Sequence, residues 1–276
     1  PLELWVVLDP RRSSDERLQA LQAIKQAADA GDHAARCTLG RLLAPGSRHP
    51  AQLPAFDAGD AATWLSRCVV GGDLDAMPVM AEMMLADGKP LDAMIWMQAY
   101  LKLAAALAPD TVNSAAAYKA GLLARIEKAY GGDRPSNEEV LEYVAGFLAQ
   151  YADRIAAGVK AGGMASYPRL PAWAEIDPKA SRTSFAGRFT RDMTDPEDEL
   201  VYATFLIEVA PDGTPDKVMT FEAYPDGRSA RILRSHAQSR RFLPQDTTSW
   251  AYLPVFLDNR SIDLLPAAER SRRPPR

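Results

Sequence analysis

Cysteine is almost missing from this chain: Cys37 and Cys68 are the two among 276 residues. Two thiols are too few for a disulfide-built scaffold or a four-thiolate zinc site. Histidine is nearly as scarce, with His33, His49 and His236 the full set, and none falls in an HExxH or a Ser/His/Asp arrangement. No G-x-S-x-G elbow, P-loop or G-x-G-x-x-G occurs, so the common signatures of serine hydrolases and nucleotide binders are lacking. No run approaches the roughly 20 apolar residues of a membrane span. Charge of one sign is not in excess either. The formal charge of −4 gives no overall pull toward nucleic acid or an anionic membrane. Hydrophobic content of 47% and charged content of 25% are those of a globular chain, and the length allows one or two domains. A chain opening on Pro1 rather than Met is read as a processed product, in which a signal peptide or lipid anchor would not be visible.

What is present is helical periodicity. Over Asp60–Leu101, Ala61, Leu65, Cys68 and Val69 fall at i, i+4, i+7 and i+8, with Asp60 as N-cap and Gly71-Gly72 as the stop. Ala76, Met80, Met83 and Met84 repeat that spacing up to Gly88 and Pro90. A third pattern opens at Asp92 and aligns Ala93, Trp96, Met97, Tyr100 and Leu101. Short helices with one apolar face cannot bury it alone, so these are expected to stack as antiparallel hairpins. Upstream, Ala27-Ala28-Asp29-Ala30-Gly31-Asp32-His33-Ala34 followed by Leu39-Gly40 reads as helix, tight turn, helix. Its Gly31 turn recurs at Gly71-Gly72, about 40 residues on, a helical-hairpin repeat length.

These positions resemble the Sel-one-like repeat, a relative of the tetratricopeptide repeat with an alanine-rich helix, a Gly turn, an Ala and a Leu-Gly pair. The matching residues are Ala27, Ala28, Gly31, Ala34, Leu39 and Gly40, then Ala61, Trp64, Leu65, Gly71, Ala76 and Ala81, then Ala93 and Trp96. The second unit departs from the pattern at Ala81, where the Gly of Leu-Gly would stand, and at Cys68-Val69-Val70. The resemblance implies a helical solenoid over the first half of the chain. Close crossing of helices at small residues would give the same pattern without the family. Cys37 and Cys68 lie on neighbouring predicted helices, either bonded or as two buried free thiols.

Around this core, Leu2–Val7 reads as an extended apolar lead-in, and Ser13-x-x-Glu16 as a capping box starting a helix with Leu18, Leu21, Ile24 and Ala28 inward. The stretch from Pro45 to Phe56, rich in Pro, Gly and Ser, is predicted to be an edge loop of the kind that binds partners. Tyr118, Leu122, Ile126 and Ala129 form a further stripe. Ser136-x-x-Glu139 opens the longest amphipathic helix, whose Val140, Val144, Phe147, Leu148, Tyr151 and Ile155 would cap the stack. Residues 164–184 carry three prolines without any period and are taken as a linker.

The pattern then changes period. Val201, Ala203, Phe205, Ile207 and Val209 alternate as a half-buried strand, Pro211-Asp212-Gly213-Thr214 signals a hairpin, and Met219, Phe221 and Ala223 alternate on the return. A helix with Ala230, Leu233 and Ala237 and a last strand over Trp250–Leu257 complete a small α+β layer. Phe205–Val209 with Asp212-Gly213, the helix ending in Arg240-Arg241-Phe242-Leu243-Pro244, and Tyr252–Leu257 resemble the C-terminal domain of TonB-type proteins, without that family's alanine run. That resemblance implies a periplasmic location in a Gram-negative bacterium and a sheet edge that binds a partner by strand addition.

The expected architecture is therefore a multidomain α and α+β chain. A helical-hairpin solenoid (1–163) and a linker (164–184) precede a small antiparallel-sheet domain with one covering helix (185–262), then a disordered tail (263–276). No catalytic set and no cofactor is assigned. His33 and Cys37 stand at i and i+4, a spacing metals use, but with no further ligands nearby in sequence they read as a turn histidine beside a packed cysteine. Candidate binding residues are Trp64, Trp96 and Tyr100, core aromatics of which one or two could reach a binding surface, and Arg231 and Arg234. The arginines belong to a cluster with Arg228, Arg240 and Arg241 read as an exposed helix face for an acidic partner. A net acidic chain without interleaved aromatics argues against nucleic acid. The expected function is a non-enzymatic periplasmic protein-binding module. Proteins resembling such arrays serve as immunity proteins against secreted toxins, which is its sharper form. The alternatives are a TonB-like energy-transducing or envelope scaffold protein and a hydrolase with a scattered site.

Overall fold

A computed structural model describes residues 2–55, 60–109, 116–132, 134–163, 201–225, 227–244, 246–257 and 262–263. The expected linker, the acidic stretch Asp192–Glu199 and the tail Arg270–Arg276 lie outside the described residues. The chain is mixed, with helices and a small antiparallel sheet of four strands. No helix among the described residues is long and apolar enough to cross a membrane. Contacts group the chain into two units.

Among the described residues, the helical unit takes those within 23–46 and 60–163. It receives the second half of α2 (Ser14–Asp29) and contains α3 (His33–Leu43), α4 (Ala61–Val70), α5 (Ala76–Ala86), α6 (Pro90–Leu107), α7 (Ala116–Ala129) and α8 (Asn137–Lys160). Local chemistry sets the helix starts. Asp32 accepts from the Ala35 N–H at 2.8 Å, Asp60 from the Ala62 N–H at 3.0 Å, and Ser136 forms a full capping box with Glu139. α3 packs on α4, α4 on α5, α5 on α6, and α6 on both α7 and α8. Leu65, Cys68 and Val69, Ala76, Met80 and Met83, and Ala93, Met97 and Tyr100 are buried, as their spacing requires.

The long helix α8 does not merely close one end, because it packs on α4 as well as on α6. Glycine makes that approach possible. A Cβ on Gly158 would lie 2.5 Å from the backbone of Gly71 and Val70, and one on Gly72 would lie 2.4 Å from Gly158. No side chain fits between these backbones.

Buried charge in this unit is paired. Arg41 faces Asp73 at 3.3 Å, and burial raises the Asp73 carboxyl above its ordinary range while Arg41 opposes the rise. Arg125 and the Tyr118 hydroxyl (2.7 Å) both bind Glu82. Lys119 donates to the Tyr100 hydroxyl and sits over its ring, and desolvation lowers its ammonium.

Among the described residues, the sheet unit draws on segments distant in sequence: 2–22, 47–55 and those within 201–263. Strands β1 (Val201–Val209), β2 (Pro215–Tyr224), β3 (Ser249–Leu257) and β4 (Ile262–Asp263) lie in the order β2-β1-β3-β4, all antiparallel. Asp212 closes the β1–β2 turn by accepting from the Thr214 N–H (2.9 Å) and hydroxyl (2.7 Å). Helix α9 (Gly227–Gln238) covers β1, β2 and β3 through Ala230, Leu233 and Ala237. The two-residue β4 follows the strand expected to be last.

Three expectations are corrected here. Leu2–Val7 is not extended but forms α1 (Leu2–Leu8), which packs on β2 and buries Leu4, Trp5, Val7 and Leu8. A short continuous apolar run lacks the period that separates strand from buried helix. Strand β1 is not half-buried: Thr204 and Leu206, its supposed solvent-side members, are buried, and β2 is buried without alternation from Val218 to Tyr224. The 45–56 loop is no free binding loop. His49, 2% exposed, donates from Nε2 to the Phe221 carbonyl at 2.9 Å, and its Nδ1 accepts from the Ala51 N–H at 3.1 Å. Arg17 holds the Ala51 carbonyl at 2.7 Å and the Val7 carbonyl at 2.9 Å, so the segment is a strap on the sheet. The first 22 residues and this strap thus belong with the sheet rather than with a continuous 1–163 helical domain.

Candidate protein-binding groove

A groove opens on the helical unit between three helices. Helix α4 contributes Ser66, Val69 and Val70, α6 contributes Asp92, Ile95 and Trp96, and α8 contributes Phe147, Tyr151 and Ile155. Each set is spaced at three or four residues and so lies on one helix face. The groove holds about 280 Å³. Val69 and Ile155 are fully buried and form its floor. Trp96, Phe147 and Tyr151 are half-buried walls, with Trp96 edge-on to Phe147 at 4.9 Å and Phe147 tilted on Tyr151 at 5.1 Å. Asp92 is exposed at the rim in the first turn of α6.

The apolar surface runs beyond the groove. Tyr143, Phe147 and Tyr151 form one i, i+4, i+8 row on α8, and Tyr143 is 54% exposed. A contiguous apolar patch rimmed by polar groups is the common mark of an interaction surface. Trp and Tyr carry much of the binding energy at such surfaces.

The candidate residues read from sequence divide accordingly. Of the three aromatics only Trp96 reaches a surface. Trp64 is buried with the Arg67 guanidinium 4.8 Å over its ring, and Tyr100 is buried with Lys119, so neither can anchor a partner. Arg231 and Arg234 are exposed on α9 of the sheet unit. Arg240, from the same presumed exposed face, is 7% exposed, and desolvation lowers its pKa to about 10. The side chains of Arg228 and His236 lie outside the described residues. Phe147 and Tyr151, expected in an inward capping stripe, are instead half-buried in the groove wall. Their i, i+4, i+8 spacing with Tyr143 marks one helix face and does not by itself tell whether that face is covered.

Cys37 and Cys68 form a disulfide with a Cα–Cα separation of 4.9 Å, tying α3 to α4. The His33 Nε2 lies 3.7 Å from the Cys37 sulfur. Among the described residues no catalytic triad or phosphate cradle accompanies the groove, whose polar lining is Ser66, Asp92 and the Tyr151 hydroxyl. Comparison of the chain with protein-family models, with curated proteins and with solved structures finds no match in any of the three.

Proposed function

We propose that this protein is a non-enzymatic binding module whose helical unit grips a protein partner in the groove between α4, α6 and α8. The observation that carries the reading is the aromatic wall of Trp96, Phe147 and Tyr151, half-exposed over an apolar floor and continued by exposed Tyr143. A groove of this lining takes an apolar anchor from an amphipathic segment, and Asp92 at its rim favours a basic residue beside that anchor. The solenoid reading gives the groove its setting: hairpins of the Sel-one-like kind, α2 with α3 across Gly31 and α4 with α5 across Gly71-Gly72, a third unit opening with α6, and a long terminal helix. The Cys37–Cys68 disulfide supports an oxidising compartment, the periplasm in the TonB-like reading of the sheet unit. The sharper form of the proposal is an immunity protein whose partner is a secreted toxin.

Affinity capture from the native host, with proteins identified by mass spectrometry, tests this. The wild type should retain one stoichiometric protein. Trp96→Ala and Asp92→Lys, at unchanged circular dichroism, should lose it. Equal recovery by wild type and both variants overturns the groove. Reproducible turnover on lipid, peptidoglycan or peptide substrates, abolished by a single substitution, overturns the non-enzymatic reading.

A further inference from the structure

The disulfide has a third soft neighbour. His33 and Cys37 stand one turn apart on α3, Cys68 comes across from α4, and the His33 ring nitrogen and the two sulfurs all lie within 4.8 Å of one another. Sequence spacing supplied two of these ligands, and the packing of α3 on α4 supplies the third. We propose that, with the disulfide reduced, Cys37, Cys68 and His33 form a binding site for zinc, so that the α3–α4 contact has two alternative clamps, a covalent one and a metal one.

The geometry suits the ion. Zinc holds thiolate sulfur at about 2.3 Å and imidazole nitrogen at about 2.0 Å, which places tetrahedral ligands roughly 3.5–3.8 Å apart. His33 Nε2 is already 3.7 Å from the Cys37 sulfur. Once the S–S bond is cut, rotation about Cα–Cβ carries the Cys68 sulfur out to that spacing while the helix backbones stay in place. Both cysteines are fully buried and His33 is half-buried, so the histidine side is the entrance.

The histidine is placed rather than merely nearby. Its ring lies on Gly71, where a Cβ would fall 2.2 Å from Cε1 and 2.3 Å from Nδ1. In the disulfide form its Nε2 donates to the Gly163 carbonyl at 3.2 Å, a hydrogen bond that ligation through the same nitrogen exchanges for the metal bond.

Charge bookkeeping favours the ion as well. Near the site Asp73 pairs with Arg41, and a carboxylate oxygen of Asp73 lies 3.6 Å from the Cys68 sulfur, where it would accept the S–H once the disulfide is reduced. Two buried thiolates alone would carry uncompensated charge, but two thiolates with one zinc are neutral.

The steps balance. A vicinal dithiol reductant gives two electrons and two protons to the Cys37–Cys68 bond and leaves as its own disulfide. Zinc then displaces both thiol protons to solvent. His33 moves its proton from Nε2 to Nδ1 with no net change and ligates through Nε2.

The test uses the full chain, reduced anaerobically with a phosphine and titrated first with Co²⁺ and then with Zn²⁺. The oxidised chain should show no thiolate-to-cobalt charge-transfer band. The reduced chain should bind one Co²⁺ with that band and tetrahedral d–d absorption, be displaced by one Zn²⁺, and release two protons per zinc. His33→Gln should weaken binding at least tenfold. Gly71→Ala, which displaces the ring while the far end of the His33 side chain has room to yield, should do the same at unchanged circular dichroism. The double variant Cys37→Ser/Cys68→Ser should give no band. A reduced chain without the band, a reduced chain that stays unfolded with zinc present, or equal affinity in wild type and Gly71→Ala would overturn the proposal.

Discussion

The two units solve burial in opposite ways. The helical unit is assembled from neighbours in sequence and buries charge in pairs, Arg41 with Asp73 and Arg125 with Glu82, under a disulfide between adjacent helices. The sheet unit gathers segments far apart in sequence, as the Phe221 carbonyl held by His49 across 172 positions shows, and there a neutral imidazole does the tying. The first unit should therefore fail on losing a charge partner or the disulfide. The second should fail in acid. Amide hydrogen exchange resolved by peptide separates the two, with α3–α8 reporting one and β1–β3 the other.

The largest expected effect is Glu82→Ala. It strands Arg125 and the Tyr118 hydroxyl, and removing one partner of a buried ion pair costs about 3–5 kcal/mol. Protection should fall in α5, α6 and α7, with the strands following only if the units unfold together. Next comes Cys37→Ser/Cys68→Ser. The cysteines are 31 residues apart, and chain-entropy reasoning gives about 3–4 kcal/mol for a loop of that size. That loss should appear in α3 and α4 and leave the sheet at its former protection.

The acid prediction sharpens the comparison from the other side. Burial lowers the His49 pKa from 6.5 to about 4. Between those values the unfolded chain binds a proton that the folded chain refuses, so unfolding becomes easier as pH falls from 6.5 toward 4. Stability from neutral His49 is complete above pH 6.5, and its loss reaches about 3 kcal/mol near pH 4. Protection in β1 and β2 should drop over that window in the wild type. In His49→Gln, whose amide can still donate to Phe221 and accept from Ala51, the slope should flatten. An unchanged slope in the variant would assign the acid sensitivity elsewhere.

A smaller effect tests the glycine contact of α8. Alanine normally favours a helix by about 1 kcal/mol over glycine. At Gly158 the added methyl would lie 2.5 Å from the Gly71 and Val70 backbone, so Gly158→Ala should instead destabilise by about 1–2 kcal/mol in thermal melts. A gain in melting temperature would show that α8 rests less closely on α4.

The features legible in sequence were those set locally. Asp60 and Ser136 cap as their neighbours dictate, the Pro211–Thr214 turn closes β1 onto β2, and the stripes over α4 to α6 are buried at Leu65, Cys68, Val69, Met80, Met83, Met97 and Tyr100, while Ala129, at the end of the α7 stripe, is exposed. The features that escaped depend on partners far along the chain. Thr204 and Leu206 look solvent-facing until α1 and the 47–52 strap are brought to the sheet. Leu2–Val7 has no period because most of its circumference is covered. Of the candidate anchors, Trp96 survives and Trp64 and Tyr100 do not, since helical spacing reports a face without saying what lies over it. Phe147 and Tyr151 are legible as a stripe, but their place in a groove depends on how α4, α6 and α8 come together in space.

Calorimetric titration of the captured partner tests the binding account most directly, using variants in each unit. Phe147→Glu in the groove should raise Kd at least a hundredfold, while Arg231→Glu/Arg234→Glu on α9 should leave it within twofold, both at wild-type circular dichroism. The reverse outcome, with the groove variant binding as wild type and the α9 variant losing the partner, would contradict it.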